Sequence, residues 1–317
     1  MTCFVLPLLL QDSLVAQENT EKEVWIQDFA KAKAQAKAEK KDLLIDFTGS
    51  DWCIWCKRLD KEVFAQAQFQ SAAPKDFILV KLDFPQDESL VTAEIKAQNT
   101  KLQEQYSIQG FPTVLLTDCD GVVYAQTGYE QGGAEPYVAK LAEWKKQGAV
   151  FQAAMLRAAD KKGAERAKAL DEALSALDGE VVDNFHFERM QEIVAADADG
   201  KLELKAKYTA RVEKILESRL INTEARALQE MIGTHMEAGE GEQALSKLDE
   251  VIKAPKNKVQ HQLALFFKGM VTMDTTGDVK AAIGLLEEAK KILPESPIAQ
   301  RIDQVLPELQ KQAGEEK

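Results

Sequence analysis

Histidine is scarce in this chain of 317 residues: His186, His235 and His261 are the three. They lie about 25 and 50 residues apart and match no zinc-ligand spacing, so neither a metal nor a cofactor is expected. Cysteine is scarce too, and four cannot staple a fold of this length in the manner of a small secreted domain. Positive charge is in deficit. Lys and Arg number 40 against 52 Asp and Glu, a net charge of −12. That balance argues against nucleic acid as a partner, because no basic face would displace its counterions. Long apolar runs are missing: residues 3–10 make one of eight, against the ~20 that a membrane-spanning helix needs, so no transmembrane segment is expected.

What is present is unevenly placed. All four cysteines (Cys3, Cys53, Cys56, Cys119) and all four tryptophans (Trp25, Trp52, Trp55, Trp144) precede residue 150. The remainder is dominated by Ala, Leu, Glu and Lys at helical spacing. The contrast predicts two domains of different architecture, 20–147 and 148–317, after a segment 1–19. In that first segment, the apolar run is followed by Leu14-Val15-Ala16, which reads as the end of a secretory signal. Met1-Thr2 brings no Lys or Arg ahead of it, and a disordered tail is the other reading. Export would remove Cys3 and put the protein in a periplasmic or secreted setting where disulfides persist. Without a signal in 1–16 the protein is cytoplasmic.

Within 20–147, residues 27–41 are Ala- and Lys-rich and read as a helix. Asp42 to Phe47 is an apolar run suited to a buried parallel strand. Thr48-Gly49-Ser50-Asp51 is a loop, and Trp52-Cys53-Ile54-Trp55-Cys56-Lys57 opens a helix expected to continue over 56–70. A second buried strand is predicted from Phe77 to Leu82, and a helix over 101–106. Gly110-Phe111-Pro112 breaks it, and a hairpin of Thr113–Leu116 and Val122–Gln126 follows. A helix from Glu135 to Lys146 closes an α/β layout.

The two central cysteines suit thiol–disulfide exchange. The reacting species is a thiolate, and an ordinary cysteine at pKa ~8.5 is mostly protonated at neutral pH. A cysteine at a helix amino terminus faces unpaired N–H groups and the positive end of the helix dipole. Cys53 is therefore expected to be the exposed nucleophile. Cys56, three residues on and on the same helical face, can bond to it without backbone rearrangement and resolve the mixed disulfide. Trp52 and Trp55 flank the sulfur, either as caps over apolar surface or as a contact patch for a partner protein.

The run Ile45-Asp46-Phe47 … Trp52-Cys53-Ile54-Trp55-Cys56-Lys57, then Lys81, then Gly110-Phe111-Pro112-Thr113, resembles the thioredoxin superfamily in motif and order over residues 24–147. Ile54-Trp55 stands where relatives carry Gly-Pro or Pro-His, and the loop from Asp46 to Cys53 is one residue longer than in thioredoxin. The resemblance implies a buried Asp46 that relays a proton for Cys56, with Lys81 tuning it. It also implies a cis Pro112 whose neighbour Phe111 pairs with an extended substrate. The motif lacks the histidine of strongly oxidising relatives, which points to a reductase- or isomerase-like enzyme. Cys119, about six residues beyond Pro112, is read as a passive hairpin thiol.

Residues 148–317 read as successive amphipathic helices. From Leu263 onward, Gly277-Asp278, Ala282, Leu286, Ala289 and Pro294 resemble the second helix of a tetratricopeptide repeat. Residues 241–255 are a weaker copy, and 167–177 a poorer one; an ordinary helical bundle is the alternative. Such arrays offer a groove for a peptide or partner protein. The expectation is an α/β thioredoxin-like domain followed by an all-α helical-repeat domain. Its client would be a protein with a disulfide or dithiol, served by a separate redox partner. The competing reading is a non-catalytic binding scaffold.

Overall fold

The computed structural model describes residues 25–315, so the expected signal or tail over 1–19, with Cys3, lies outside the described residues. The chain divides into two compact units between Lys205 and Ala206.

The first unit is built on a five-stranded sheet in the order β1-β3-β2-β4-β5. Strand β2 (Asp42–Thr48) is buried along its whole length, as its near-continuous apolar run requires of a central strand. It pairs in parallel with β3 (Phe77–Asp83) and antiparallel with β4 (Thr113–Thr117). Strand β5 (Val123–Thr127) completes the hairpin, and β1 (Trp25–Ile26) lies parallel to β3 at the other edge. Two residues carry no readable alternation, which is why β1 left no sequence signal. The hairpin turn is held by Asp118, whose Oδ1 accepts from the amides of Asp120 and Val122 at 2.9 Å each. Gly121 there has φ 91°, a conformation that side chains disfavour.

Helix α1 (Phe29–Glu39) is capped by Asp28, which accepts from Lys31 N at 3.0 Å. The continuous helix expected over 56–70 is not there. Instead, α2 (Ile54–Leu59) passes into a π-helical turn (Asp60–Phe64), and α3 (Ala67–Asp76) starts afresh after an extended Gln66. The reason is aromatic packing. Five positions apart on one helix, Phe64 and Phe69 would point about 140° away from each other. The break brings their ring centroids to 4.8 Å, and both reach Trp25, at 4.9 and 6.3 Å. Helix α4 (Ala93–Gln105) begins eight residues earlier than its sequence pattern suggests, capped by Thr92.

Helix α5 (Ala134–Ala158) runs through the expected boundary at 147–148. Helices α6 (Gly163–Ser175), α7 (Gly179–Phe185) and α8 (Phe187–Ala196) also belong to the first unit. His186, between α7 and α8, is buried; its Nε2 lies 2.8 Å from Val123 O of β5, and its ring meets Phe151 of α5 at 5.1 Å. The shift in composition marks where the tryptophans and cysteines stop. It does not mark where packing against the sheet stops.

The second unit consists of α9 (Leu204–Glu237), α10 (Gly241–Lys253), α11 (Lys258–Thr276), α12 (Val279–Ile292) and α13 (Pro297–Glu315). Ala282, Leu286 and Ala289 of α12 are fully buried. Gly269 of α11 faces them so closely that a Cβ would come 3.2 Å from Leu286. Gln262, near the start of α11, donates to the carbonyls of Ala289 and Leu293 at 3.1 and 3.0 Å, so α11 and α12 run antiparallel. Gly277, at φ 69°, ends α11 in a left-handed cap.

Candidate active site

Cys53 is the N-cap of α2 and is bonded to Cys56, with S–S 2.10 Å and Cα–Cα 5.2 Å. Cys56 N also donates to Cys53 Sγ at 3.1 Å, so the sulfur receives one of the amides that a helix start leaves unpaired. The approach to Cys53 is fixed by side chains at the end of β3 and beyond. Asp83 accepts from Ser50 N at 2.9 Å and from Ser50 Oγ at 2.6 Å. Asp51 accepts from the amides of Gln86 and Asp87 at 2.9 and 2.8 Å, while Lys57 Nζ returns to Asp51 O at 2.5 Å. The loop is thereby held at both ends before α2 begins.

The sequence predicts an exposed Cys53 above a less accessible Cys56. In this disulfide-bonded state both are buried, at 5% and 4% exposure. The bond is the cause, since it ties the outer sulfur to the inner one. The accessible surface belongs to their neighbours instead: Trp52 is 42%, Ile54 71% and Trp55 51% exposed.

The two tryptophans are held differently. Trp52 Nε1 donates to Phe84 O at 2.8 Å, and its ring meets Phe111 edge-on at 5.9 Å. Phe111 in turn stacks on Phe84 at 5.0 Å. The Phe111–Pro112 peptide is cis, as the superfamily resemblance implies. A Cβ at Gly128 would come 2.8 Å from Pro112 O, so β5 hands the chain directly against this loop.

Trp55 belongs to a second cluster. Its ring lies 5.3 Å from Tyr129, and the Arg58 guanidinium sits over both rings, at 5.1 and 4.8 Å. Glu62 joins the pair: Arg58 Nε donates to its carboxylate at 2.9 Å and Tyr129 Oη at 2.6 Å. Those two donors hold the Glu62 carboxyl below its ordinary pKa. Arg58 and Glu62 could have been found from the sequence, three residues after Trp55 and four apart. Tyr129 could not, because it arrives from the loop after β5.

Asp46 is buried in the middle of β2, directly opposite Lys81 on β3 and Val114 on β4. Burial raises its pKa to about 7; Lys81 pulls in the opposite direction, and Asp60 and Asp83 add to the rise. Its Oδ1 accepts no hydrogen bond. A carboxyl that titrates near neutrality can take a proton and give it back at working pH. Cys119 is a free thiol in the β4–β5 turn, past the far end of β4 from Pro112, with its pKa raised by burial and by Asp120 and Asp118. No group of three or more His, Cys, Asp or Glu side chains among the described residues is placed to hold a metal ion.

The family described as a thioredoxin-like domain matches residues 29–141. Disulfide bond reductase DsbH of Chlamydia pneumoniae is 33% identical over 115 residues, which are 36% of this chain and 69% of that protein. Thiol:disulfide interchange protein DsbD of Pseudoalteromonas atlantica is 30% identical over 112 residues, 34% of this chain but 17% of that protein. A solved structure of DsbH oxidoreductase, 33% identical, covers 38% of this chain and 83% of its own, with a TM-score of 0.37. All three similarities cover little more than a third of the chain.

Proposed function

The chain belongs to the thioredoxin-like family, and on that footing we propose that it is a thiol–disulfide oxidoreductase acting on protein clients through its Trp-Cys-Ile-Trp-Cys motif. The observation that carries this reading is the Cys53–Cys56 disulfide at the start of α2, with Trp52 packed against Phe111 of the cis-proline loop.

In the reducing direction the reduced pair reacts with a client disulfide. Cys53 thiolate attacks one client sulfur, forming a Cys53–client disulfide and releasing the other client sulfur as a thiolate. Cys56 gives its proton to Asp46 and attacks Cys53 Sγ. The Cys53–Cys56 bond forms, the mixed disulfide breaks, and the client leaves with two electrons more. A separate dithiol partner must then reduce the pair again. Lys81 tunes the proton acceptor, while Trp52, Trp55, Phe111 and Pro112 form the surface that aligns the client. Two facts support the reducing direction: the motif has no histidine, and the relative that is 33% identical is named a reductase.

The helix pairs of the second unit fit the helical-repeat reading, with a groove that recruits a client or redox partner. The apolar stretch before residue 16 fits export, which sequencing of the mature amino terminus reads directly. Insulin-turbidity assays with dithiothreitol test the activity. Wild type should accelerate precipitation and Cys53→Ser should not; equal rates for the two would refute catalysis by this pair.

A further inference from the structure

Residues 84–87, just past β3, touch both halves of the candidate site. Towards the cysteines, Phe84 N donates to Thr48 O at 2.8 Å, and Phe84 O accepts from Trp52 Nε1 at 2.8 Å. The Asp51 carboxylate then takes two successive amides, Gln86 N on Oδ1 at 2.9 Å and Asp87 N on Oδ2 at 2.8 Å. Towards the cis peptide, the Phe84 ring stacks on Phe111 at 5.0 Å. Pro85 lies between these contacts and fixes its own φ, which stiffens the segment. The segment thus spans from the residue two before Cys53 to the residue before Pro112.

Asp51 is its fastening. Gln86 and Asp87 are exposed, and without the carboxylate their amides would turn to water, which fixes no geometry. Hydrogen bonds to an ionised acceptor are stronger than neutral ones, and the two amides hold the Asp51 carboxyl below its ordinary pKa. On its other side, Asp51 belongs to a compact turn. Its carbonyl accepts from Lys57 Nζ of α2 at 2.5 Å, and Cys53 N donates to Gly49 O at 2.9 Å. The Trp52 indole rests on Gly49, where a Cβ would come 2.5 Å from Cε2.

We propose that Asp51 is a positioning residue for the attack of Cys53 on a client disulfide. By tying residues 84–87 to the Cys53 turn, it sets the distance between that sulfur and the Phe111–Pro112 loop on which the client lies. This role rests on the oxidoreductase reading; the tie itself does not. In the attack, the Cys53 thiolate bonds to one client sulfur while the other leaves as a thiolate. The three sulfurs must therefore align, and that depends on where the client is held. A small alkylating reagent meets Cys53 alone and needs no such alignment. The amide that Cys53 Sγ receives comes from Cys56, which Asp51 does not touch.

The test uses full-length Cys56→Ser protein, in which attack is the one step seen, with Asp51 intact, Asp51→Asn or Asp51→Ala. Mixed-disulfide formation at saturating insulin should slow about ten-fold or more in Asp51→Ala. Asp51→Asn, which keeps one acceptor oxygen, should lose less. Alkylation of Cys53 by iodoacetamide should stay within about two-fold, with the same pH midpoint, because an exposed charge nearby is screened. Equal insulin rates with and without Asp51, or parallel losses with insulin and iodoacetamide, overturn the role. Hydrogen exchange of the Gln86 and Asp87 amides in the disulfide form tests the tie without any activity, and should quicken in Asp51→Ala. Unchanged exchange overturns the tie even in an active enzyme. Quickened exchange in a protein that forms no mixed disulfide with insulin upholds the tie and removes its catalytic use.

Discussion

Asp46 and Lys81 are register partners on adjacent parallel strands, a carboxyl and an ammonium side by side in the centre of the sheet. Burial nonetheless outweighs that opposite charge and carries the Asp46 pKa up to about 7. The balance of those two effects has a consequence for stability.

With a folded-state pKa of about 7 against 3.8 for an ordinary aspartate, Asp46 ionises in the unfolded chain first. Its contribution is fully favourable below pH ~4 and is lost as pH rises through 7, a change of up to about 4 kcal/mol. Denaturant melts of the disulfide form should show Asp46→Asn close to wild type at pH 4 and more stable at pH 8. Equal stability differences at both pH values would mean that the carboxyl is not desolvated.

His186 has the opposite slope. Burial lowers its pKa to about 4, helped by Arg189 and opposed by the bond to Val123. The unfolded chain binds its proton near pH 6.5, so stability is lost as pH falls from there towards 4, by about 3 kcal/mol. His186→Gln should flatten that acid limb; a limb of unchanged steepness would contradict the assignment.

Much of the candidate site's layout was legible in the sequence. Cys53, Cys56, Asp46 and Pro112 each sit where a strong local signal puts them: a motif opening a helix, a carboxylate inside an apolar strand, a proline before a hairpin. What escaped was whatever depends on residues distant in sequence. Tyr129 comes from the loop after β5, and no spacing rule connects it to residue 55. The break at Gln66 was hidden because Phe64 and Phe69 satisfy a helical pattern only loosely, and the aromatic cluster with Trp25 decided otherwise. The packing of α7 and α8 on β5 was hidden for the same reason, since Asn184 and His186 reach Gln126 and Val123 from about 60 residues away.

The Arg58–Tyr129–Glu62 cluster should act on client binding through Trp55. Tyr129→Phe removes the bond to Glu62 and keeps the ring, whereas Arg58→Ala removes the cation over both rings. Arg58→Ala should raise KM for a protein disulfide about three- to five-fold with little change in kcat, and Tyr129→Phe less. A fall in kcat at constant KM would place the cluster in the chemical step instead.

Gly128 abuts the Pro112 carbonyl, and the colliding atom belongs to the backbone, which cannot swing aside. Gly128→Ala should cost about 1–3 kcal/mol in denaturant melts. A variant as stable as wild type would show that this loop yields readily.

The most direct measurement is mixed-disulfide trapping with a disulfide-bonded client. With Cys56→Ser, Cys53 has no resolving partner, and a covalent complex with the client should accumulate and dissolve on reduction. Cys53→Ser should trap none. Equal trapping by the two variants, or none by either, would contradict the assignment of Cys53 as the attacking sulfur.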